Sequence, residues 1–483
     1  MLTPVAEAGH VARALADRVR TVLHTIGEPE LARLMETIEG EARVARVVYL
    51  HDDIVEPVRI MATPMVALPD QLSYVRTVTL TLHRALKRLP DLYFADSDVW
   101  RVLELPAIEE AWLREYWTPA ARASNTVFGR HDAVCDFGSA DWKQSLWFLE
   151  PNMSGIGGLH LAPSASRVLA RTMLPVLHRM DPELQLETAQ DVRGLLMQEL
   201  IDHLESIGRR GQTICFVEPK YSGSGPDEQV ELARYVHDHF GYTVCHADPS
   251  ELELDGGEVR YQDRVIDLAY RDYGVIDLLE VAAEGVDIAP MRALFAQNRL
   301  VSSIAAELDQ KSCFEVLTDP ELLERHFDSD ERRLFRRHIP WTRVLGDRTT
   351  TLPESRNGEL LPFVASARER LVIKPNRSYG GTGVLVGAET EPAAWAAAIE
   401  GALRDPERWV VQLAVPLTVM EFPSLDDTGR LQREPYYIVL GFTPSTYGMA
   451  TVGRASQQRV VNVAQHGGIC VVVIGHAPGR LVV

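Results

Sequence analysis

Apolar residues recur three and four positions apart through residues 1 to about 45 with few breakers, the spacing of amphipathic helices. The pattern then becomes mixed. Val47–Leu50 reads as a short strand, and Gln71–Leu89 and Ala107–Tyr116 read as helices. Residues 126–153 carry the pattern of a β-hairpin. Thr126–Phe137 is one arm, Gly138–Asp141 the turn and Ser145–Asn152 the return arm, with a glycine-rich loop, Gly155-Ile-Gly-Gly158, behind it. Between about 212 and 275, strands at Thr213–Val217, Tyr242–Cys245 and Ile266–Arg271 flank a helix at Glu228–Phe240, which predicts a Rossmann-like α/β unit. Residues from about 298 to 345 are helix-rich, running through Asp309–Leu317 to Ile339–Thr342, and those from about 365 to 483 alternate strands with helices. There is no internal repeat and no low-complexity linker.

Composition narrows the class. At 483 residues the chain exceeds what one simple core holds, so two or three packed lobes are expected. Hydrophobic content of 46% and charged content of 24% are ordinary for a globular protein. A formal charge of −19, with no basic tract to offset it, argues against nucleic acid as a main partner. The longest apolar runs, such as Ile469–Ile474, are strand-sized and far short of a membrane span. Met1 is followed by neither a basic start nor an apolar signal core, so a cytoplasmic location is the expectation. The five cysteines (Cys135, Cys215, Cys245, Cys313 and Cys470) are scattered and contain no C-x-x-C pair, so neither a zinc site nor a disulfide framework is expected.

Three segments carry chemistry. In Leu371-Val-Ile-Lys-Pro-Asn-Arg-Ser-Tyr-Gly-Gly-Thr-Gly-Val384 an apolar run reaches a lysine, a proline and then a loop with three glycines. Lys374 offers a point charge, and the glycines let backbone N–H groups approach phosphate oxygens. The lysine precedes the glycines, so this is not a Walker A loop. Of 49 basic residues only five are lysines: Lys87, Lys143, Lys220, Lys311 and Lys374. Where arginine is the default, a lysine marks a place that needs a compact ammonium. Lys374, inside an apolar strand, fits that reading, whereas Lys87 and Lys143 read as surface residues.

The second segment is Glu150-Pro-Asn152. Residues i and i+2 of a strand share a face, so a carboxylate and an amide oxygen here could share a divalent cation with a triphosphate. Pro151 between them lacks a donor and places this strand at a sheet edge or at its own end. The third is Arg130-His-Asp132, where Arg130 could neutralise a developing charge and Asp132 could be a further metal ligand. Asp136 shares the period-two face of Asp132 and is its rival. His131 and His466 lack i, i+4 partners and read as structural. Ser154 lacks the glycine two residues before it that a nucleophile elbow needs. Trp142 and Trp147 read as core anchors.

Arg-x-Asp followed by Glu-x-Asn in the first third, with Lys-Pro and a glycine-rich loop in the last third, resembles the circularly permuted ATP-grasp enzymes. Glutathionylspermidine synthase and related bacterial proteins share this order, and the likeness covers roughly residues 120–470. The resemblance implies an α/β, circularly permuted ATP-grasp fold with a Rossmann-like segment and a helical N-terminal region. It divides the chain into a helical and mixed region that could be a substrate lobe (1–120), a metal-binding hairpin with part of the core (121–200), the Rossmann-like segment (201–297) and the nucleotide-binding lobe with the remaining core (298–483). A preceding Cys-His amidase domain is not expected.

The activity so implied is ATP-dependent carboxylate–amine ligation through an acyl phosphate, releasing ADP and phosphate, with ATP and Mg2+ as cofactors. Lys311 and Lys374 would hold phosphates, and Tyr379, Gly380, Gly381, Thr382 and Gly383 would close over them. Gln412 and Leu413 occupy the adenine hinge, with Gln412 where a Glu is more usual. Arg454 is implied as a phosphate ligand, and Asn462 belongs to a late motif. Asp132, Glu150 and Asn152 would bind magnesium, and Arg130 and Arg271 would stabilise the reacting acyl phosphate. The partners implied are a small carboxylate and an amine, amino acids or short peptides among them, with selectivity expected in residues about 46–120 and in the loop after Asn152; no nucleic acid and no membrane are implied. The alternatives are a phosphotransferase of the same fold and a non-catalytic nucleotide-binding scaffold. A dinucleotide site at Gly223 and Gly225 is disfavoured, because the G-x-G-x-x-G spacing fails.

Overall fold

The computed structural model describes residues 3–51, 54–221, 225–226, 228–425, 430–461 and 467–476. The chain opens with two helices, Pro4–Thr25 and Glu28–Val44. The first is capped by Thr3, whose hydroxyl accepts from the Ala6 N–H at 3.2 Å, and buries Leu15, Val19, Val22 and Leu23 at helical spacing. Helices follow at Pro69–Lys87 and Ala107–Tyr116, within two residues of the sequence expectation.

Three sheets enclose the site. A seven-stranded sheet runs in the order Arg59–Ile60, Gly468–Cys470, Gly448–Ser456, Leu431–Ser445, Arg130–Val134, Trp147–Asn152, with Thr418–Leu425 paired to Leu431–Ser445. The Trp147–Asn152 strand is its edge, so Pro151 sits where no ladder donor is required. A parallel sheet of Thr243–Ala247, Thr213–Val217, Leu268–Arg271 and Leu300–Val301 is the expected Rossmann-like unit, extended by one strand from beyond the range expected. An antiparallel sheet of Thr342–Val344, Trp409–Leu413, Leu371–Pro375 and Leu385–Val386 packs on helices Leu360–Ser366 and Pro392–Arg404 through its own apolar cluster around Leu371, Ile373, Trp395 and Val411.

Three expectations change. The hairpin's first arm is shorter than read: only Arg130–Val134 is strand, and the connection holds a helical turn, Trp142–Ser145, that buries Trp142. After Pro392–Arg404 the described chain contains strands but no further helix, because long antiparallel partners, not crossovers, complete the large sheet. The apolar run Ile469–Ile474 is split at Val471, its halves pairing in two different sheets. No helix among the described residues is long and apolar enough to cross a membrane.

Candidate active site

The hairpin, the antiparallel sheet and the C-terminal end of the parallel sheet face one cleft of about 1360 Å³. Ligands of parallel α/β sheets collect at that end, because chain reversals there leave a crevice. Arg130, Asp132, Glu150 and Asn152 line the cleft from the hairpin, and Lys374 and Gln412 line it from the antiparallel sheet. Asp272, directly after the Leu268–Arg271 strand, lines it from the third side.

Hairpin register does the local positioning. Arg130 stands opposite Asn152 and Asp132 opposite Glu150, with a bulge between Asp132 and Ala133. The extra residue is Leu149 on the return arm, and Asp136 leaves the face of Asp132 because the strand ends at Val134. Asp136 is instead a turn residue whose carboxylate accepts from the Gly138 N–H at 3.0 Å. Asp132 commits both oxygens to arginines: Arg130 Nε donates at 2.9 Å and Arg454 Nη2 lies at 2.6 Å. Burial works against its charge, the two guanidiniums outweigh it, and the carboxyl is held down at about 2. Arg130 also donates through Nη1 to the Gly157 carbonyl at 2.7 Å, which fixes the glycine-rich loop behind the hairpin.

Asp132, expected as a metal ligand, has both oxygens engaged by arginines here and orients them. Glu150 and Asn152 are the oxygen donors that face the cleft without such an arginine partner. The Asn152 amide donates to the Arg130 carbonyl at 3.1 Å, which leaves its oxygen unbonded among the described residues. No cluster of three or more His, Cys, Asp or Glu poised for a metal occurs among the described residues. Two hard oxygen donors fit Mg2+, which completes its shell with water and phosphate oxygens rather than with an all-protein cage.

Lys374 sits on neutral acceptors. Lys374 Nζ donates to Gln412 Oε1 at 2.9 Å and to the Leu149 carbonyl at 3.3 Å. Burial pushes its ammonium down to about 8, with Glu150 acting the other way. Lys311 stands behind the cleft lining; it donates to the Ser378 carbonyl at 2.6 Å and lies 3.5 Å from Glu150. Arg454 Nε is buried with no partner among the described residues. An anion's oxygen is the natural acceptor for that orphan donor, so this wall fits a phosphate.

The glycine-rich loop has a fixed stem and an open tip. Asn376 bonds the Gln310–Ser312 segment, accepting the Ser312 N–H at 2.8 Å and donating to Gln310 Oε1 at 3.0 Å. Arg377 makes a bidentate pair with Glu109, both bonds 2.6 Å, and Glu407 accepts the Arg377 N–H at 2.9 Å. Beyond that stem Gly380, Gly381 and Gly383 have φ of +66°, +76° and +73°, conformations that strain other residues. Tyr379, Gly380 and Gly381 line the cleft; Thr382 and Gly383 do not. Gln412 and Leu413 reach the cleft, but the Leu413 N–H is already given to the Trp341 carbonyl at 2.9 Å.

Arg271 is not brought to the site. It is fully buried, paired with Glu307 at 2.7 Å, and donates to the carbonyls of Ser302, Tyr273 and Ser303. Those contacts hold its guanidinium away from the cleft lining. Asn462, His466 and Gly223 lie outside the described residues. Sequence reasoning missed the Glu109–Arg377 pair, although the signal was present. Glu109 falls on the buried stripe with Trp112, Leu113 and Tyr116, and a carboxylate on a core face demands a partner.

No protein-family model matches the chain, and no curated protein matches it. Among solved structures, a glutathione synthetase-like effector from Globodera pallida in its apo form matches with a TM-score of 0.58 at 11% identity. The match covers 93% of this chain and 98% of that one. At that identity the likeness is one of fold: the chain is a mixed α/β protein of glutathione synthetase-like architecture.

Proposed function

We propose that the chain is an ATP-dependent carboxylate–amine ligase of circularly permuted ATP-grasp type. The observation that carries this reading is the convergence, from segments more than 200 residues apart, of Arg130, Glu150 and Asn152 with Lys374 and the unpartnered Arg454 Nε on one cleft. Bound Mg-ATP supplies the phosphoryl group that activates a carboxylate as its acyl phosphate. Lys374 would draw the triphosphate in, with Lys311 adding charge from behind the lining; the tip of the glycine-rich loop would cover it, and Glu150 and Asn152 would hold the metal. Asp132 keeps Arg130 and Arg454 aimed at the charge that develops on the transferring group. The protein supplies position and electrostatics and needs no nucleophile of its own. On this reading the substrates are a small acid and an amine.

ADP release with Mg-ATP, acids and amines, measured beside Lys374→Ala and Glu150→Gln, tests the reading. Turnover that requires both an acid and an amine, and is lost in both variants, supports ligation. Turnover with an acid alone turns the reading to a phosphotransferase. Failure to bind Mg-ATP by calorimetry removes it altogether.

A further inference from the structure

Ten carboxylates line the cleft, and nearly all are committed. Asp132 holds two arginines, Glu109 holds Arg377, and Glu407 accepts the Arg377 N–H. Glu307 holds Arg271 and the Val275 N–H, and Asp277 caps the same helix by accepting the Gly274 N–H at 2.7 Å. Asp309 accepts the Met153 N–H at 2.5 Å, Glu150 faces Lys311 at 3.5 Å, and Glu104 lies 3.7 Å from Arg408. That leaves Glu280, exposed on the second turn of the Val275–Ala283 helix, and Asp272.

Asp272 is exposed to the cleft as well, but it stands at the end of the Leu268–Arg271 strand and against the glycine-rich loop. Only its N–H is bonded, to the Val217 carbonyl at 2.9 Å; its carboxylate opens into the cleft with neither donor nor cation among the described residues. It rests against Gly155, where φ is +57° and a Cβ would overlap Asp272 Oδ1. The same glycine-rich loop takes Arg130 Nη1 on the Gly157 carbonyl. One short loop thus separates a free carboxylate from the arginine at the reacting centre. Resting on the ligase reading, we propose that Asp272 receives the second substrate: its carboxylate binds the incoming ammonium and takes one proton, delivering a neutral amine to the acyl phosphate. The nitrogen lone pair forms the C–N bond and the C–O bond to phosphate breaks, its electron pair leaving with phosphate. The second nitrogen proton passes to the departing phosphate, and Asp272 returns its own to solvent through the cleft mouth.

The surroundings suit that task. Crowding by protein is the largest influence, Asp277 and Glu228 add to it, Arg271 opposes it, and the carboxyl is pushed up to about 6. Glu218, pushed up to about 8 by burial, and the phenols of Tyr270 and Tyr273, pushed up as well, complete the titratable groups around it. Above pH 6 Asp272 is ionised and can accept a proton; below it the carboxyl is filled.

The test compares wild type with Asp272→Asn, using Mg-ATP and a panel of acetate, succinate, glycine and glutamate. Each is offered propane-1,3-diamine or hydroxylamine, the latter neutral at pH 7.5 and in no need of a base. The expected result is a loss of about 100-fold in kcat/KM for the diamine with hydroxylamine turnover held within about 3-fold. The wild-type diamine rate levels off above about pH 6, whereas in the variant it keeps climbing with pH as free amine forms, and Asp272→Glu restores diamine turnover. Equal loss with both nucleophiles, or no loss with either, overturns the proposal. A wild type that turns over with hydroxylamine and never with the diamine sinks it while sparing the ligase reading. A wild type that does not bind Mg-ATP sinks both.

Discussion

Replacing Lys374 with methionine should remove nucleotide binding and yet stabilise the empty protein. The ammonium is buried, held at about 8 against 10.5 in the unfolded chain. That depression costs the folded state about 3 kcal/mol wherever both forms are protonated, that is, below pH 8. Losing the hydrogen bonds to Gln412 and Leu149 returns about 1 kcal/mol, leaving a net gain of about 2 kcal/mol. For 483 residues the unfolding entropy is about 1 kcal/mol/K, so the melting temperature should rise by about 2 °C. The sign has a pH signature. Between pH 8 and 10.5 the unfolded chain binds the extra proton, so wild-type stability gains on Lys374→Met as pH rises, and the difference closes. Thermal denaturation of both proteins from pH 7 to 10, with and without Mg-ATP, measures all of this. A variant that melts lower than wild type at pH 7, or that still gains stability from Mg-ATP, would refute the reasoning.

Other perturbations separate architecture from chemistry. Glu109→Ala strands Arg377 at the loop stem; it should cost about 3 kcal/mol by denaturant titration and raise the KM for ATP. Arg271→Met leaves Glu307 buried without its cation and should destabilise by about 3 kcal/mol, while calorimetry finds Mg-ATP affinity unchanged. His338 is buried between the Leu146 carbonyl at 2.9 Å and the Tyr74 hydroxyl at 2.8 Å, and burial pushes it down to about 4. Its folded form stays neutral while the unfolded chain protonates, so stability should fall from pH 6.5 toward 4, and His338→Gln should flatten that limb in acid denaturation.

What the sequence disclosed followed from period and spacing. Helical spacing located Pro4–Thr25 and Ala107–Tyr116, and the apolar run before Lys374 located its strand, because each buries one face locally. The Glu-x-Asn and Arg-x-Asp pairs were legible for the same reason: alternation alone puts i and i+2 together. Properties set by distant neighbours were not legible. Asp132 looked like a metal ligand until the Gly448–Ser456 strand brought Arg454 against it from more than 300 residues away. Asp136 matched Asp132 in period, but the strand ends at Val134 and Asp136 belongs to the turn that follows. Arg271 ends a strand at the cleft, yet the segment after Leu300–Val301 supplies carbonyls that draw it inward. Asp272, its neighbour in sequence, is unpartnered only because of where distant segments stand, which its own sequence context does not show.

The use of lysine rather than arginine at position 374 has a physical explanation. A buried arginine cannot shed its proton, so it needs an anion at all times. Arg130 and Arg454 have Asp132, and Arg377 has Glu109. Such pairs hold shape, but a cation already matched to a carboxylate gains less from a phosphate. Lys374 has only an amide oxygen and a carbonyl, and a lowered affinity for its proton lets it wait there without a counter-ion. An arriving triphosphate then meets a charge that lacks a partner, and the protein should take up protons on binding near pH 8. Lys374→Arg is therefore not conservative: a permanent charge among neutral acceptors should melt below wild type, where Lys374→Met melts above it. Calorimetry of Mg-ATP binding in two buffers of different ionisation enthalpy reads the proton uptake directly. Uptake that is absent in wild type, or an arginine variant as stable as wild type, would show that the ammonium is not held in this poised state.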